Sequence, residues 1–396
     1  MTRTDDELLV YLIAGEPSGD LLASRLMRAL REKTGGKVRF AGVGGETMIE
    51  NGFESLFDSS ELAVMGLAEV VPSIPRIMAR IRQTVDDIVE KKPDVVVTVD
   101  SWSFCARVNK GLRSLHTGIP QIHYVAPQVW AWKKGRAKTC GRYIDRLMAL
   151  LPNEAKYFTP YGLKVDFVGH PVVEGGAAKG DGKGFRKKNG IPETAKLLCV
   201  LPGSRRSETK YLLPVFKDVV AALKQKHPDM QIVVPTVATV ERTVRQAVAD
   251  WSAPVHVVTG ESNRYDAFAA ADAALAASGT VALELAMAKV PYMIAYKMNP
   301  VSSFLARKLV SGRFANLVNI LADREIVKEC LLENCTVQNL TAEIEKLLNN
   351  DSYRAAEVND AFGVLKMLGA DDPVAPSQKA AEVVLTVAGE HRTKKG

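Results

Sequence analysis

Apolar residues recur along the chain in short unbroken runs, separated by stretches with a 3.6-residue apolar period. Such runs are strands buried on both faces, and the intervening stretches are amphipathic helices. The first run, Leu8 to Ala14, leads through Gly15-Glu16-Pro17-Ser18-Gly19-Asp20 into a helical pattern carried by Leu21, Leu22, Leu26, Met27 and Leu30. A second strand over Val38 to Val43 ends in Gly42-Val43-Gly44-Gly45, where Thr47 takes the place of the last glycine of a dinucleotide fingerprint. Asp94 to Asp100, DVVVTVD, reads as a central parallel strand that delivers Asp100 at its carboxyl end, the end where open α/β sheets bind ligands. A helix over about 104–115 and strands over 119–125, 146–151 and 165–168 complete this half.

The alternation then breaks at Glu174 to Gly184, a glycine-rich charged stretch without apolar period that predicts a linker. Beyond it the alternation resumes. Strands are expected at 197–202, 231–235, 255–258, 272–276 and 291–296, with helices between them, and a helical pattern runs from 323 to the basic tail. The expected fold is α/β, with two doubly wound Rossmann-like lobes. The expected division is 1–172, a linker at 173–190, a second lobe at 191–355 and C-terminal helices at 356–396.

Bulk properties narrow the class. A chain of 396 residues suits two domains, and 47% hydrophobic with 24% charged residues excludes a disordered or fibrous protein. Residues 62–81 are apolar but interrupted by Pro72 and Pro75, too broken to span a bilayer, and read as core lining or an exposed apolar flap. Residues 1–14 carry no secretory apolar region, so a cytoplasmic location is expected. The five cysteines are scattered without CxxC spacing, which suggests neither a disulfide frame nor a zinc site. A net charge of +7 favours anionic partners without choosing among them.

Candidate chemistry gathers where strands end. In Leu197 to Pro214 a buried strand meets the turn Pro202-Gly203-Ser204, then Arg205 and Arg206, with Ser207 and Glu208 placed to start a helix. This junction reads either as a phosphate site with Arg205 as an added fork of donors, or as a plain connection. Ser278-Gly279-Thr280 opens a second helix, and Glu284 one turn deeper either accepts hydrogen bonds from a ribose diol or serves the helix dipole. The first half supplies acids instead, Glu16 and Asp100, suited to general-base work on a hydroxyl, though Asp100 can equally cap the following helix. Trp130 to Arg146 holds Trp130, Trp132 and Tyr143 among six cations, a phosphate or membrane contact or a solvated helix face. No Walker A, HExxH or Asp-x-Asp motif is present.

Taken in order, AGEPSGD (14–20), ELAVMGLAEV (61–70), PDVVVTVD (93–100), IHYVAPQVWAW (122–132), FVGHP (167–171), LPGSR (201–205), AASGTVALE (276–284) and NILADREIVKE (319–329) resemble the lipid-A-disaccharide synthase family. The resemblance implies the GT-B architecture, two lobes facing a cleft with the last helices crossing back onto the first. It implies transfer of diacylglucosamine from UDP-2,3-diacylglucosamine to the 6-hydroxyl of 2,3-diacylglucosamine 1-phosphate, inverting to a β-1,6 bond and releasing UDP without a metal or other cofactor. Carried onto this chain, Arg205, Gly203, Ser204, Ser278, Gly279, Thr280 and Glu284 hold UDP. Asp100, Glu16 and Asn319 are the residues on which activity depends, with Asp100 as base. Met65, Val70, Val71, Ile74, Trp130, Trp132, Lys133 and Arg136 are implied contacts to the acceptor or to the cytoplasmic face of the inner membrane, held peripherally. A homodimer by exchange of C-terminal elements is compatible with the family, and nucleic acid is not an expected partner. Val318 stands where the family has proline before Asn319. The rivals are an enzyme like UDP-N-acetylglucosamine 2-epimerase and a basic nucleotide- or RNA-binding protein.

Overall fold

The structure, a computed structural model, describes residues 7–62, 67–129, 135–299 and 313–395; side chains at 67–73 and beyond 393 lie outside that description. The chain forms two compact units, Met1–Pro171 with Asp372–Gly396, and Val172–Asp371. Each is built on one six-stranded parallel sheet, so the expected doubly wound α/β class is what forms.

The first sheet contains β1 (Leu8–Ala14), β2 (Val38–Val43), β3 (Val95–Val99), β4 (Gln121–Tyr124), β5 (Arg146–Ala149) and β6 (Lys164–Phe167), in the order β2-β1-β3-β4-β5-β6. Alternate residues feed two separate cores. Val10, Leu12, Val97 and Val99 pack with Leu22 and Leu26, while Tyr11, Ile13 and Val96 pack with Ile81, Val85, Val108 and Leu112. The expected interruption at Pro72 and Pro75 does not occur, since one helix runs from Leu67 to Lys91. Each proline removes only one hydrogen bond from the ladder, and burial of Ile81, Val85 and Ile88 further along anchors the helix.

The last helix, Pro376–Lys395, packs on the helix Pro17–Lys33 and adds Ala380, Ala381 and Val384 to the first core. Arg392 secures it with a bidentate pair to Asp94 (2.9 Å from both Nε and Nη2) and a bond to the Glu7 carbonyl (2.6 Å). The preceding helix, Asp351–Met367, stays with the second unit, against the helices Val281–Met287 and Val337–Asn349.

The second sheet contains β7 (Leu197–Leu201), β8 (Gln231–Thr236), β9 (Val255–Thr259), β10 (Ala273–Ala277), β11 (Tyr292–Tyr296) and β12 (Glu329–Leu331), in the order β12-β11-β10-β7-β8-β9. The three-residue β12 was hidden in a stretch that reads as helical. The glycine-rich segment is folded, not an open tether, with short helical turns at Pro171–Glu174 and Gly176–Lys179 and a helix Gly182–Lys188 that buries Phe185. Its glycines serve close approach: a Cβ on Gly180 would stand 2.1 Å from the Tyr265 carbonyl, and one on Gly182 2.3 Å from that of Ala269.

One buried acid gives this unit a pH dependence. Glu357 Oε1 accepts from the Tyr292 amide at 2.7 Å, while Oε2 is buried without a partner among the described residues. Desolvation pushes this carboxyl up to about 8. The folded protein then keeps a proton that the unfolded chain releases in the ordinary carboxyl range. Stability is therefore full below that range and is lost as pH rises toward 8. Glu357→Gln is expected to flatten this dependence in thermal unfolding followed from acid to alkaline pH. An unchanged slope would assign it to another group.

Candidate active site

In a doubly wound sheet the crevice opens where the strand order reverses, beyond the carboxyl ends of the strands. In the second unit that point lies between β7 and β10, and the two loops expected to hold an anion leave these two strands. They line one cavity of about 350 Å³, which takes in Gly203, Ser204, Arg205, Ser278, Gly279, Thr280 and Glu284. The structure thus brings together every expected nucleotide-binding residue.

The turn after β7 differs from its sequence reading in one respect. The backbone N–H groups of Ser204 and Arg205 are already taken by the Glu208 carboxylate, at 3.0 and 3.2 Å to Oε2. Arg205 occupies the N-cap position of the helix Arg206–Lys226 without a side-chain cap bond, and its Nη1 donates to Glu208 Oε1 at 2.8 Å. Gly203, at φ 101°, makes room, because a Cβ there would lie 2.4 Å from Glu208 Oε2. The anion at this helix end is the protein's own. What remains for a ligand is the Arg205 side chain, 65% exposed, and the loop Ser278–Thr280, whose helix Val281–Met287 has no side-chain cap.

Glu284 lies one turn into that helix. Burial raises its carboxyl above the usual range and the Arg264 guanidinium opposes the rise, with Nη2 donating to Oε1 at 3.1 Å. Sequence reasoning missed Arg264, Thr236 and Glu208 as cavity residues. Glu208 was readable as a helix-start acid and Thr236 ends a strand, whereas nothing in the sequence marks Arg264.

In the first unit the strand order reverses between β1 and β3, and the loops leaving these strands carry Glu16 and Asp100. A pair of serines crosses the gap: Ser101 Oγ donates to Glu16 Oε1 at 2.9 Å, and Ser18 Oγ to Asp100 Oδ2 at 3.1 Å. Asp100 does not cap the next helix. The N-cap is Ser101, and both residues hold left-handed backbone at φ 53° and 38°, strain that neither side chain relieves by capping. Gly19 lets the helix Pro17–Lys33 approach, since its Cβ would lie 3.2 Å from the Val99 carbonyl.

Asp20, in the same motif, is structural. Its buried carboxylate accepts from the amides of Gly45 (2.7 Å), Thr47 (2.7 Å) and Met48 (3.2 Å), so the glycine turn after β2 is closed by an internal anion. His123 is also structural, fully buried with Nδ1 2.8 Å from Thr98 Oγ1, and desolvation lowers it to about 3.

Asn319 is buried and fully engaged. Oδ1 accepts from the amides of Ile326 (2.8 Å) and Val327 (3.0 Å), and Nδ2 donates to the Val327 carbonyl and Glu329 Oε1, both at 2.7 Å. It ties the loop before β12 instead of offering its amide to a ligand. Val318 is accommodated because its amide donates to Asn316 Oδ1 at 3.0 Å, a bond proline could not make. Of the expected lipid or acceptor contacts, Ile74 is exposed and Arg136 lies on the helix Gly135–Tyr143. Met65, Trp130, Trp132 and Lys133, with the side chains of Val70 and Val71, lie outside the described residues.

Two doubly wound parallel units, with a nucleotide-sized cavity at the switch point of the second, define the GT-B class of nucleotide-sugar enzymes. Solved structures agree on the fold. The UDP-N-acetylglucosamine 2-epimerase of Neisseria meningitidis bound to UDP-GlcNAc matches with a TM-score of 0.61 at 13% identity, over 96% of this chain and 100% of that one. MurG of Acinetobacter baumannii matches at 0.56 and 15%, over 96% and 99%. Within that class the chain belongs to the lipid-A-disaccharide synthetase family, whose model matches residues 10–373. The lipid-A-disaccharide synthase of Paramagnetospirillum magneticum is 52% identical over 96% of this chain and 97% of its own, and that of Rhodospirillum centenum 51% over 96% and 94%. The expected activity, a hexosyltransferase of lipid A biosynthesis, is thereby borne out over the epimerase reading, whose support is a distant likeness of fold. Among the described residues no helix is long and apolar enough to cross a membrane.

Proposed function

We propose that the second unit holds UDP-2,3-diacylglucosamine with Glu284 on the ribose diol and Arg205 with the Ser278-Gly279-Thr280 loop on the diphosphate. The observation that carries this assignment is the single cavity shared by Arg205, Ser278–Thr280 and Glu284 at the β7–β10 switch point. Gly203 and Ser204 form the turn that presents Arg205.

Asp100 of the first unit takes the proton from the 6-hydroxyl of 2,3-diacylglucosamine 1-phosphate. The freed oxygen attacks the anomeric carbon of the donor from the face opposite UDP, forming the β-1,6 bond as the bond to the diphosphate breaks. Glu16, bonded to Ser101 beside Asp100, helps to place the acceptor. The strained backbone at Asp100 and Ser101 supports Asp100 over Glu16 as base, because such strain persists where surrounding structure holds a residue for use. Asn319 contributes by fixing the 326–329 loop. The charge released on UDP is met by Arg205 and loop N–H groups, so the reading needs no metal.

Exposed Ile74 and Met78 on the helix Leu67–Lys91, next to Arg76, support a peripheral contact with an anionic lipid surface through that helix and the Trp130–Arg136 segment. Exchange into a homodimer would replace one chain's last helix by its partner's in the first core.

The test incubates the purified protein with UDP-2,3-diacylglucosamine and 2,3-diacylglucosamine 1-phosphate in detergent, with and without a chelator, and detects the disaccharide by mass. Equal product in both is expected. Product only with added magnesium would sink the metal-free mechanism, and none in either would sink the substrate assignment.

A further inference from the structure

Glu284 reaches its place with help from outside its own helix. Arg264, on the helix Glu261–Ala270 that follows β9, lines the same cavity and donates from Nη2 to Glu284 Oε1 at 3.1 Å. The same nitrogen lies 3.4 Å from the Tyr265 hydroxyl and 3.9 Å from Glu261 Oε2, and the guanidinium carbon sits 5.0 Å from the centroid of the Tyr265 ring. Tyr265 is itself wedged against the glycine-rich segment, where a Cβ on Gly176 would come within 3.0 Å of its ring. Arg264 is thus backed by a packed aromatic and fixed at one end to the carboxylate.

Its other end is unfinished. Arg264 Nε is buried and has no hydrogen-bond partner among the described residues. A buried donor left without an acceptor is destabilising. The guanidinium is therefore held through Nη2, by Glu284 and Tyr265, and not through Nε.

We propose that Arg264 is a positioning and specificity-determining residue of the nucleotide site, holding the Glu284 carboxylate in the orientation that accepts hydrogen bonds from a ribose 2′,3′-diol. This rests on the reading of the cavity as a UDP site. The charges around Glu284 agree with it. Burial and Glu261 both disfavour its ionised form, and Arg264 counteracts them, with Tyr265 packed beside the pair. Without Arg264, the carboxyl takes up a proton more readily and ceases to be an acceptor at both oxygens.

Calorimetric titration of the full chain with UDP and with 2′-deoxy-UDP, from mildly acidic to mildly alkaline pH, tests this. Wild type is expected to prefer UDP at every pH. Arg264→Met is expected to lose about tenfold in UDP affinity and most of the preference over 2′-deoxy-UDP, with a loss that deepens toward acid. Arg264→Lys keeps the charge without the fork, so it should restore the wild-type pH profile but not the full affinity. Glu284→Gln and the double variant should lose similar amounts, because once either partner is gone the other has nothing to act on. An Arg264→Met protein with wild-type affinity, preference and pH profile would overturn the proposal, as would strictly additive losses. Should Arg264→Met fail to fold, Arg264→Lys and Glu284→Gln carry the comparison. A wild-type protein that binds neither nucleotide overturns the UDP reading itself, a result distinct from UDP binding that ignores Arg264.

Discussion

Asp100→Asn is expected to stop disaccharide formation, with kcat down by about 10²-fold to 10⁴-fold, the range that a positioned general base supplies, while UDP affinity stays at the wild-type level. The substitution keeps the shape of the side chain and its contact with Ser18 but removes the carboxylate proposed to take the proton of the 6-hydroxyl. Affinity is spared because the residues of the cavity proposed for UDP all belong to the second unit, whereas Asp100 follows β3 of the first. Single-turnover assays with the two lipid substrates, paired with UDP titration, check both halves. Turnover near wild type would remove Asp100 from the role and leave Glu16 as the acid to test. Loss of UDP binding would mean that the change disturbs more than proton transfer.

Asn319→Ala is expected to act through folding, destabilising the second unit by about 3 kcal/mol or more, since several buried groups lose their partners together at about 1–3 kcal/mol each. The amides of Ile326 and Val327 and the Glu329 carboxylate would be left short of hydrogen bonds. Glu329 in turn accepts from the amides of Ala315 and Asn316, so the disturbance reaches the chain that passes the Ser278 loop. Scanning calorimetry should show a lowered transition, partly recovered by saturating UDP through mass action. An unchanged transition with lost activity would place Asn319 in the chemistry instead of in the frame.

The two predictions separate residues that look alike in a motif. Asp100 and Asn319 both fall in stretches that match the family, yet one is a strained, partly exposed carboxylate and the other a buried strut. Motif membership reports that a residue is needed. Burial and bonding say for what.

The sequence by itself determined the alternation of strands and helices, the division into two lobes, the carboxyl-end positions of Glu16, Asp100, Arg205 and Ser278–Thr280, and the family. These follow from information local in the chain: apolar period marks buried strands and helix faces, and a strand followed by a small-residue turn marks where a ligand can meet free backbone. Only the tertiary structure decided how those features are used. Glu208 fills the helix end that looked open, Asp20 closes the glycine turn, the linker's glycines serve contact with the Tyr265 helix, and Arg392 clasps Asp94 from 298 residues away. Arg264 joins Glu284 from a different helix. Each of these depends on which polar groups the fold brings within 3 Å or so of one another. Period and spacing show which face of an element is buried, but not which distant partner will satisfy it there.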